Sequence, residues 1–156
     1  ALFLPIGKST NPITKTNWEG KGVQPHTVVP AAADALAVAK VQALQKLSDK
    51  HPDQHGELYR WYLISEKAKM NPVVLNKKTL ESYAGTYGQR TLMVENDDIY
   101  YQRAGGPKLL LNALESDLFE LAADNSFRMR IIKENGKVTA LQGIFDNGFK
   151  DQFSKQ

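Results

Sequence analysis

The second half of this sequence alternates short apolar runs with turn-forming residues, and this pattern limits the fold more than any other feature. The runs are 91–95, 99–103, 108–113, 118–121, 127–133, 137–144 and 149–153. Turn signals separate them at Tyr87-Gly88, Asn96-Asp97-Asp98, Gly105-Gly106-Pro107, Asp124-Asn125, Asn135-Gly136 and Asn147-Gly148. Apolar and basic residues alternate from 127 to 131, which is the period of a half-buried strand. The pattern predicts an antiparallel meander that curls into a barrel or sandwich of about seven or eight strands.

Residues 31–69 have helical periodicity instead. Leu36, Ala39, Ala43, Leu44 and Leu47 recur at helical spacing, and a second helix follows with Leu58, Trp61, Tyr62, Ser65 and Ala68 on one face. Asn71-Pro72 ends the second segment, because a residue before proline is disfavoured in helical conformation. Residues 1–30 are rich in proline and glycine and predict an extended arm. We therefore predict an α+β chain with an N-terminal arm and two helices in 1–76, then an antiparallel β-domain in 77–156.

Composition excludes several classes of function. The chain is 42% hydrophobic and 24% charged, which is typical of a folded protein. Its net charge of +3 is spread along the chain without a basic stripe, so no nucleic-acid partner is expected. The absence of cysteine excludes disulfides, thiolate metal sites and cysteine nucleophiles. No apolar run reaches the roughly 18 residues that a membrane span needs.

A polar, glycine-rich segment near the start carries a Trp and a Glu that an ordinary loop does not need. It reads Asn-Trp-Glu-Gly-Lys-Gly-Val-Gln-Pro over residues 17–25, and Val28-Val29-Pro30 and an alanine-rich helix follow. This segment resembles the tail-specific, or C-terminal-processing, serine peptidases, which include the tricorn core and the interphotoreceptor retinoid-binding proteins. In that family the segment closes the peptidase core after the nucleophilic serine. The resemblance implies that residues 1–76 are the C-terminal remnant of such a core, with the missing N-terminal part as partner.

The resemblance also implies roles for residues of this loop. Glu19 matches a glutamate that orients the activating histidine in tricorn-like members, as the third member of a catalytic triad does. Branches that use a Ser-Lys pair need no such glutamate, and Glu19 would then make only a turn or helix-cap contact. Asn17, Trp18 and Gly22 are the other motif positions and are candidate binding residues. His26 stands where the family has an acid, and we interpret it as a solvent-facing turn residue.

The serines and histidines of the chain predict neither a nucleophile nor a metal site. None of the serines lies in a Gly-x-Ser-x-Gly elbow or at a Ser-x-x-Lys helix start, so the nucleophile segment is absent. His51 and His55 have the i, i+4 spacing of a metal pair, but Pro52 and Gly56 place them at a helix start with no third ligand. We interpret them as surface residues near a helix cap and predict no metal and no cofactor.

The β-domain carries a second resemblance. It opens with Leu-Glu-Ser-Tyr-Ala-Gly-Thr-Tyr-Gly over 80–88 and continues through the runs already described. This is similar to the small lipocalin-like domain at the C-terminus of many bacterial penicillin-binding-related and peptidase proteins. No well-established activity is associated with that domain. Together the resemblances imply the C-terminal region of a periplasmic or secreted serine peptidase, inactive as this fragment.

The alternative is a non-catalytic binding or interaction module whose β-domain holds a small apolar ligand or a peptide. Aromatic residues that would line such a pocket, or else fill the interior, are Tyr59, Trp61, Tyr62, Tyr83, Tyr87, Tyr100, Tyr101 and Phe119. A further hypothesis is that the arm, lacking its core, pairs with another copy of the chain by strand addition or arm exchange.

Overall fold

Strands that follow one another in the sequence also lie side by side in the structure, so the sheet is an antiparallel meander. The computed structural model describes residue 4, residues 6–17, residue 22 and residues 25–156. The chain divides into two compact units, Ala1–Ala35 and Leu36–Gln156, and the meander belongs to the second.

The first unit contains a tight turn built by Asn11. Its side-chain oxygen accepts hydrogen bonds from the backbone N–H groups of Ile13 at 2.8 Å and Thr14 at 3.1 Å. Its carbonyl oxygen accepts one from the N–H of Lys15 at 2.9 Å. Asparagine favours such turns because its short side chain substitutes for a backbone acceptor. A short 3₁₀ helix, Ala32–Asp34, follows at the end of the unit.

The second unit contains an eight-stranded sheet that forms a nearly closed barrel. Its strands are β1 (Gly85–Tyr87), β2 (Arg90–Glu95), β3 (Asp98–Arg103), β4 (Lys108–Ala113), β5 (Leu118–Leu121), β6 (Asp124–Glu134), β7 (Lys137–Phe145) and β8 (Lys150–Ser154). The two ends of the sheet meet where Tyr87 forms a β-bridge with Lys155. The N–H of Gln156 donates to the carbonyl oxygen of Thr86 at 2.9 Å beside that bridge. The predicted α+β class and strand number are confirmed.

Two-residue turns set the register of two hairpins. Asn96 and Asp97 join β2 to β3 with φ values of 50° and 67°, and Asn135 and Gly136 join β6 to β7 with 50° and 78°. Two successive left-handed residues match the right-handed twist of the flanking strands, which is why Asn-Asp and Asn-Gly stand there. The predicted turn at Asp124-Asn125 is wrong by two residues, because the chain turns at 122–123 and Asp124 already begins β6.

The core lies inside the barrel and is formed by the inward residues of alternating strands. Its most buried members are Tyr83, Tyr87, Leu92, Phe119, Met129, Ile131 and Leu141. Phe127, Met129 and Ile131 are all buried, as the alternation predicts. Each large apolar side chain removed from water stabilises the fold by about 1.5–3 kcal/mol, so this cluster is the main source of stability in the unit.

Three α-helices precede the strands in the described chain, one more than predicted. They are α1 (Ala35–Lys50), α2 (Gln54–Met70) and α3 (Lys77–Tyr83). The side chain of Asn76 caps α3 by accepting from the N–H of Thr79 at 2.9 Å. The sequence interpretation missed α3 because seven residues are too few to show helical periodicity. Leu80 and Tyr83, one turn apart, are buried in the barrel core.

The predicted apolar face of α1 is only partly correct. Leu36 is 67% exposed, and Ala39 and Ala43 are also exposed. The covered face instead includes Val41 and Ser48. This helix offers alanines and valines around much of its circumference, so its sequence does not specify which side is covered.

None of the helices in the described part of the chain combines the length and apolar character that a bilayer crossing requires.

Candidate functional site

The barrel wall is interrupted between β3 and β4, and this β3–β4 gap is the candidate site. Pairing of the two strands ends at Tyr100 and Leu110. Beyond that point Ile99 keeps only its β2 partner, while residues 111–113 pair with β5 alone. The N–H of Leu114 donates to the carbonyl oxygen of Leu118 on β5. Backbone groups of successive residues point to opposite sides of a strand, so those of Ala113 point away from β5 and toward the gap.

A cavity of about 390 Å³ lies at the gap. Its walls come from the C-terminal half of α2, the connection from α2 to α3, the β2–β3 turn and the strands β4 and β5. The apolar lining residues are Ala68, Pro72, Val73, Val74, Leu75, Leu80, Ile99, Leu111, Ala113, Leu114 and Phe119. This volume and apolar lining suit a small ligand.

The connection from α2 to α3 forms one wall of the cavity and is extended. Asn71 ends α2, and Pro72 prevents the helix from continuing. Val73, Val74 and Leu75 make no backbone hydrogen bond with any described residue. The backbone N–H and C=O groups of this segment therefore have no partner among the described residues, and the Val74 side chain is 89% exposed.

Two buried polar residues, Ser65 and Glu120, also line the cavity. Ser65 lies on α2 and is 4% exposed, while Glu120 lies on β5 and is 7% exposed. The Ser65 hydroxyl donates to Glu120 Oε2 at 2.6 Å. No hydrogen bond to the second carboxylate oxygen, Oε1, is formed by any residue that the structure describes. Glu120 thus keeps one acceptor free at the cavity wall.

Arg128 on β6 lies behind this pair and is 2% exposed. Its Nη2 donates to Ser65 Oγ and to the carbonyl oxygen of Trp61, both at 2.6 Å, and lies 3.6 Å from Glu120 Oε2. The guanidinium carbon lies 3.8 Å from the centre of the Trp61 ring, a cation–π arrangement. Burial lowers the pKa of Arg128 to about 10, and the nearby charge of Glu120 opposes this shift.

The electrostatic balance of the cavity is acidic. Three carboxylates, those of Asp97, Asp98 and Glu120, line it together with the single ammonium group of Lys69. Lys69 Nζ lies 2.8 Å from Glu66 Oε1, and the Lys69 side chain is 65% exposed. Negative charge therefore dominates the rim of the cavity, while the carboxylate of Glu120 at the buried end is paired with Arg128.

A second cavity, of about 630 Å³, lies between the N-terminal half of α2 and the turn from β7 to β8. Leu58, Trp61 and Phe145 contribute its apolar lining. The ionisable residues around it, His55 and Glu57 among them, are exposed to solvent. It lacks the combination of buried polar groups and apolar walls that distinguishes the β3–β4 gap.

None of the observations above concerns the motif loop predicted from the peptidase resemblance. Trp18 and Glu19 fall outside the described residues. Asn17 is half-buried, and Gly22 is exposed with a φ of 64°, a left-handed conformation that glycine adopts without strain. His26 is exposed at a bend, as predicted. The proposed roles of Asn17, Trp18, Glu19 and Gly22 remain predictions.

The histidine pair is associated with a helix cap, as predicted. The side chain of Asp53 caps α2 by accepting from the N–H groups of His55 and Gly56. His55 Nδ1 also lies 3.2 Å from Asp53 Oδ2, and this hydrogen bond is the main cause that lowers the pKa of Asp53. The rings of His51 and His55 are centred 6.5 Å apart and tilted by 58°.

Most of the buried candidate aromatics fill the barrel interior. Tyr83, Tyr87, Tyr101 and Phe119 belong to the core cluster, and Phe119 also lines the cavity. The hydroxyl of Tyr87 donates to the Tyr83 carbonyl oxygen at 2.6 Å, and burial raises the pKa of Tyr87 to about 12. These four residues therefore follow the interior-filling alternative.

Sequence reasoning missed Glu120 and Arg128. Both occupy positions that alternation assigns to the outer face of the barrel, where charged residues normally meet water. Helix α2 covers that face, with Trp61 and Ser65 directed toward it. The one sequence feature that indicates a buried polar group here is Ser65, which carries a small hydroxyl among large apolar residues on the predicted face of α2.

Comparisons with protein-family models, with curated proteins and with solved structures found no match to this chain.

Proposed function

We propose that this chain is a non-catalytic binding module that holds a small apolar ligand or a peptide at the β3–β4 gap. The observation that supports this proposal is the cavity of about 390 Å³, in which apolar residues surround the carboxylate of Glu120. One oxygen of this carboxylate accepts from Ser65, and the other accepts no hydrogen bond from a described residue. Pockets that combine apolar area with a few placed polar groups bind ligands by excluding water and use the polar groups to orient them. The polar group here is already held in place by Ser65 and Arg128.

The test is binding of the neutral fluorescent probe N-phenyl-1-naphthylamine. We expect saturable fluorescence enhancement with the wild-type chain and loss of binding by at least tenfold in Ala68→Phe, which fills the cavity from α2. Ala43→Phe is the matched control, because Ala43 is exposed on α1. Circular dichroism verifies that both variants fold. Equal binding by Ala68→Phe and wild type, or no binding by wild type, contradicts the proposal.

We also propose, as a second candidate, that the chain is the C-terminal region of a tail-specific serine peptidase that acts in the periplasm or outside the cell. The support is the Asn-Trp-Glu-Gly-x-Gly-Val-x-Pro run of 17–25. It precedes an alanine-rich helix and a β-domain in the order that such peptidases have. The two proposals are compatible, since a binding domain can serve a peptidase core.

This second candidate has its own test. A fluorophosphonate label is expected to leave every serine of this chain unmodified and to label a longer gene product at a serine upstream of residue 1. Labelling of a serine within the chain contradicts the predicted inactivity. A gene product whose upstream part lacks a glycine-rich, serine-bearing turn contradicts the peptidase origin.

A further inference from the structure

We propose that the ligand of the β3–β4 gap is an amphiphilic amine, in which an apolar body ends in a protonated ammonium group that binds Glu120. This inference rests on the proposed binding function and specifies the chemistry of its ligand. It starts from the buried carboxylate. Glu120 is 7% exposed, and its Oε1 accepts no hydrogen bond from any described residue although the side chain lines a cavity.

The neighbours of Glu120 fix one oxygen and leave the other for a ligand. Ser65 donates to Oε2 at 2.6 Å, and Arg128 Nη2 lies 3.6 Å from the same atom. Arg128 directs its shorter bonds, at 2.6 Å, to Ser65 Oγ and the Trp61 carbonyl. The carboxylate is therefore held by contacts on one side only. Oε1 is not fully buried, since Arg128 Nε is the one fully buried side-chain polar atom without a hydrogen-bond partner among the described residues. A cationic donor that reaches Oε1 from the cavity forms a charge-assisted hydrogen bond.

The remaining charges favour a cation over a neutral donor or an anion. Asp97 and Asp98 lie at the rim, and Lys77 reaches Asp97 only at 3.6 Å with both side chains well exposed. An exposed pair at this distance neutralises little charge. A ligand that enters past these carboxylates meets two acidic groups at the rim and then Glu120, whose Oε2 is the oxygen nearest Arg128. An anionic head group would be repelled at the rim.

The apolar walls of the cavity determine which chemistry the rest of the ligand needs. Ile99, Leu111 and Phe119 on the strands line the cavity together with Pro72–Leu75, and all of these side chains are apolar. An unbranched apolar body gains free energy by covering these side chains without leaving polar groups unsatisfied. An ammonium group on such a body can come from a free alkylamine or from a lysine side chain within an apolar peptide.

The experiment compares three probes of equal chain length, n-octylamine, n-octanol and n-octanoate, by isothermal titration calorimetry at pH 7. We expect octylamine to bind at least tenfold more tightly than octanol, and octanoate to bind most weakly. Shifts of the backbone NMR signals of residues 111–114 identify the site. Acetyl-Leu-Lys-Leu-amide and its norleucine analogue test whether a peptide lysine binds in the same way.

Two variants assign the preference to named carboxylates. Glu120→Gln is expected to reduce the advantage of octylamine over octanol to less than threefold. Asp98→Asn, at an exposed rim position, is expected to reduce the advantage of octylamine over octanol by a smaller factor. This variant provides the test if Glu120→Gln does not fold. Equal binding of octylamine and octanol, or an unchanged preference in Glu120→Gln, overturns the amine inference and leaves the binding function intact. Failure of every probe, including the neutral ones, overturns both.

Discussion

Replacement of Arg128 by methionine tests the account of the contact between α2 and the barrel. Methionine retains much of the apolar stem and removes the guanidinium, which bonds to Ser65 Oγ and the Trp61 carbonyl at 2.6 Å and lies over the Trp61 ring. The variant leaves Glu120, 7% exposed, without its nearest cation. We expect this substitution to destabilise the chain strongly.

The size of the effect follows from the lost contacts. Each hydrogen bond from a charged donor contributes about 1.5–3 kcal/mol, and a desolvated cation–π contact about 2 kcal/mol. Relief of the guanidinium's desolvation, the same effect that lowers the pKa of Arg128 to about 10, offsets part of this loss. Removal of one partner from a buried ion pair costs about 3–5 kcal/mol in total. With a urea dependence of about 2 kcal/mol per molar, the midpoint should fall by roughly 2 M.

Urea unfolding followed by circular dichroism measures this change. The matched control is Arg130→Met on the same strand. Arg130 pairs with Glu115 and Asp117 at 3.0 and 3.1 Å, but its side chain is 33% exposed, so we expect a loss below about 1 kcal/mol. A difference of less than 1 kcal/mol between the two variants would refute the claim that the buried cation connects α2 to the barrel.

The triple variant Arg128→Met, Glu120→Leu, Ser65→Ala gives a second and stricter test. Replacement of a whole buried ionic group by apolar residues is often neutral or stabilising, because no charge remains without a partner. We expect the triple variant to lie within about 1 kcal/mol of wild type, far from the sum of the single losses. Additive losses would show that the three side chains act independently.

Three further predictions concern other parts of the second unit. Gly143→Ala should destabilise the chain by about 1–3 kcal/mol in urea unfolding, because a Cβ there would lie 2.5 Å from Arg90 Nη1 and 2.3 Å from Asp151 Oδ1. Asn76→Ala removes the cap of α3 and should cost about 1 kcal/mol in the same assay. In absorbance titration at alkaline pH, Tyr87 should ionise near pH 12, later than an ordinary tyrosine. Because its folded pKa is raised, its contribution to stability is complete below pH 10 and is lost as the pH rises from 10 toward 12.

Each of these predictions has a control and a contradicting result. Gly7→Ala, where an added Cβ meets nothing within 4 Å, should leave stability unchanged, and an equal loss in both glycine variants would contradict the packing argument. Asn76→Asp keeps a capping oxygen and should retain most of the stability lost in Asn76→Ala. The late-titrating phenol should disappear in Tyr87→Phe, and its persistence would assign it to another tyrosine.

Much of the fold was predictable because it depends on local chemistry. The turn residues Asn96 and Gly136 favour left-handed backbone, and the alternation of Phe127 and Met129 with charged residues specifies the inward face of a strand. Both signals are carried by a few adjacent residues. Helix α3 was missed because its length of seven residues is too short for a periodic signal, although Asn76 in front of it is a favourable cap.

The site was much less predictable. Glu120, Arg128 and Ser65 are separated in sequence by up to 63 residues, and no one of them has an unusual neighbourhood. Their chemistry arises only where α2 crosses the outer face of β5 and β6 and excludes water. The β3–β4 gap depends equally on where two strands stop pairing, which the apolar pattern of either strand does not show.

The amino-acid sequence by itself determined the meander, its hairpin turns and the absence of cysteine chemistry, because these depend on residue type and on neighbours a few positions away. The tertiary structure alone decided that one arginine and one glutamate of the outer face are buried and that the barrel wall opens beside them. Burial and strand separation are properties of surfaces that meet across the fold. The spacing of residues along the chain carries no measure of the water those surfaces exclude.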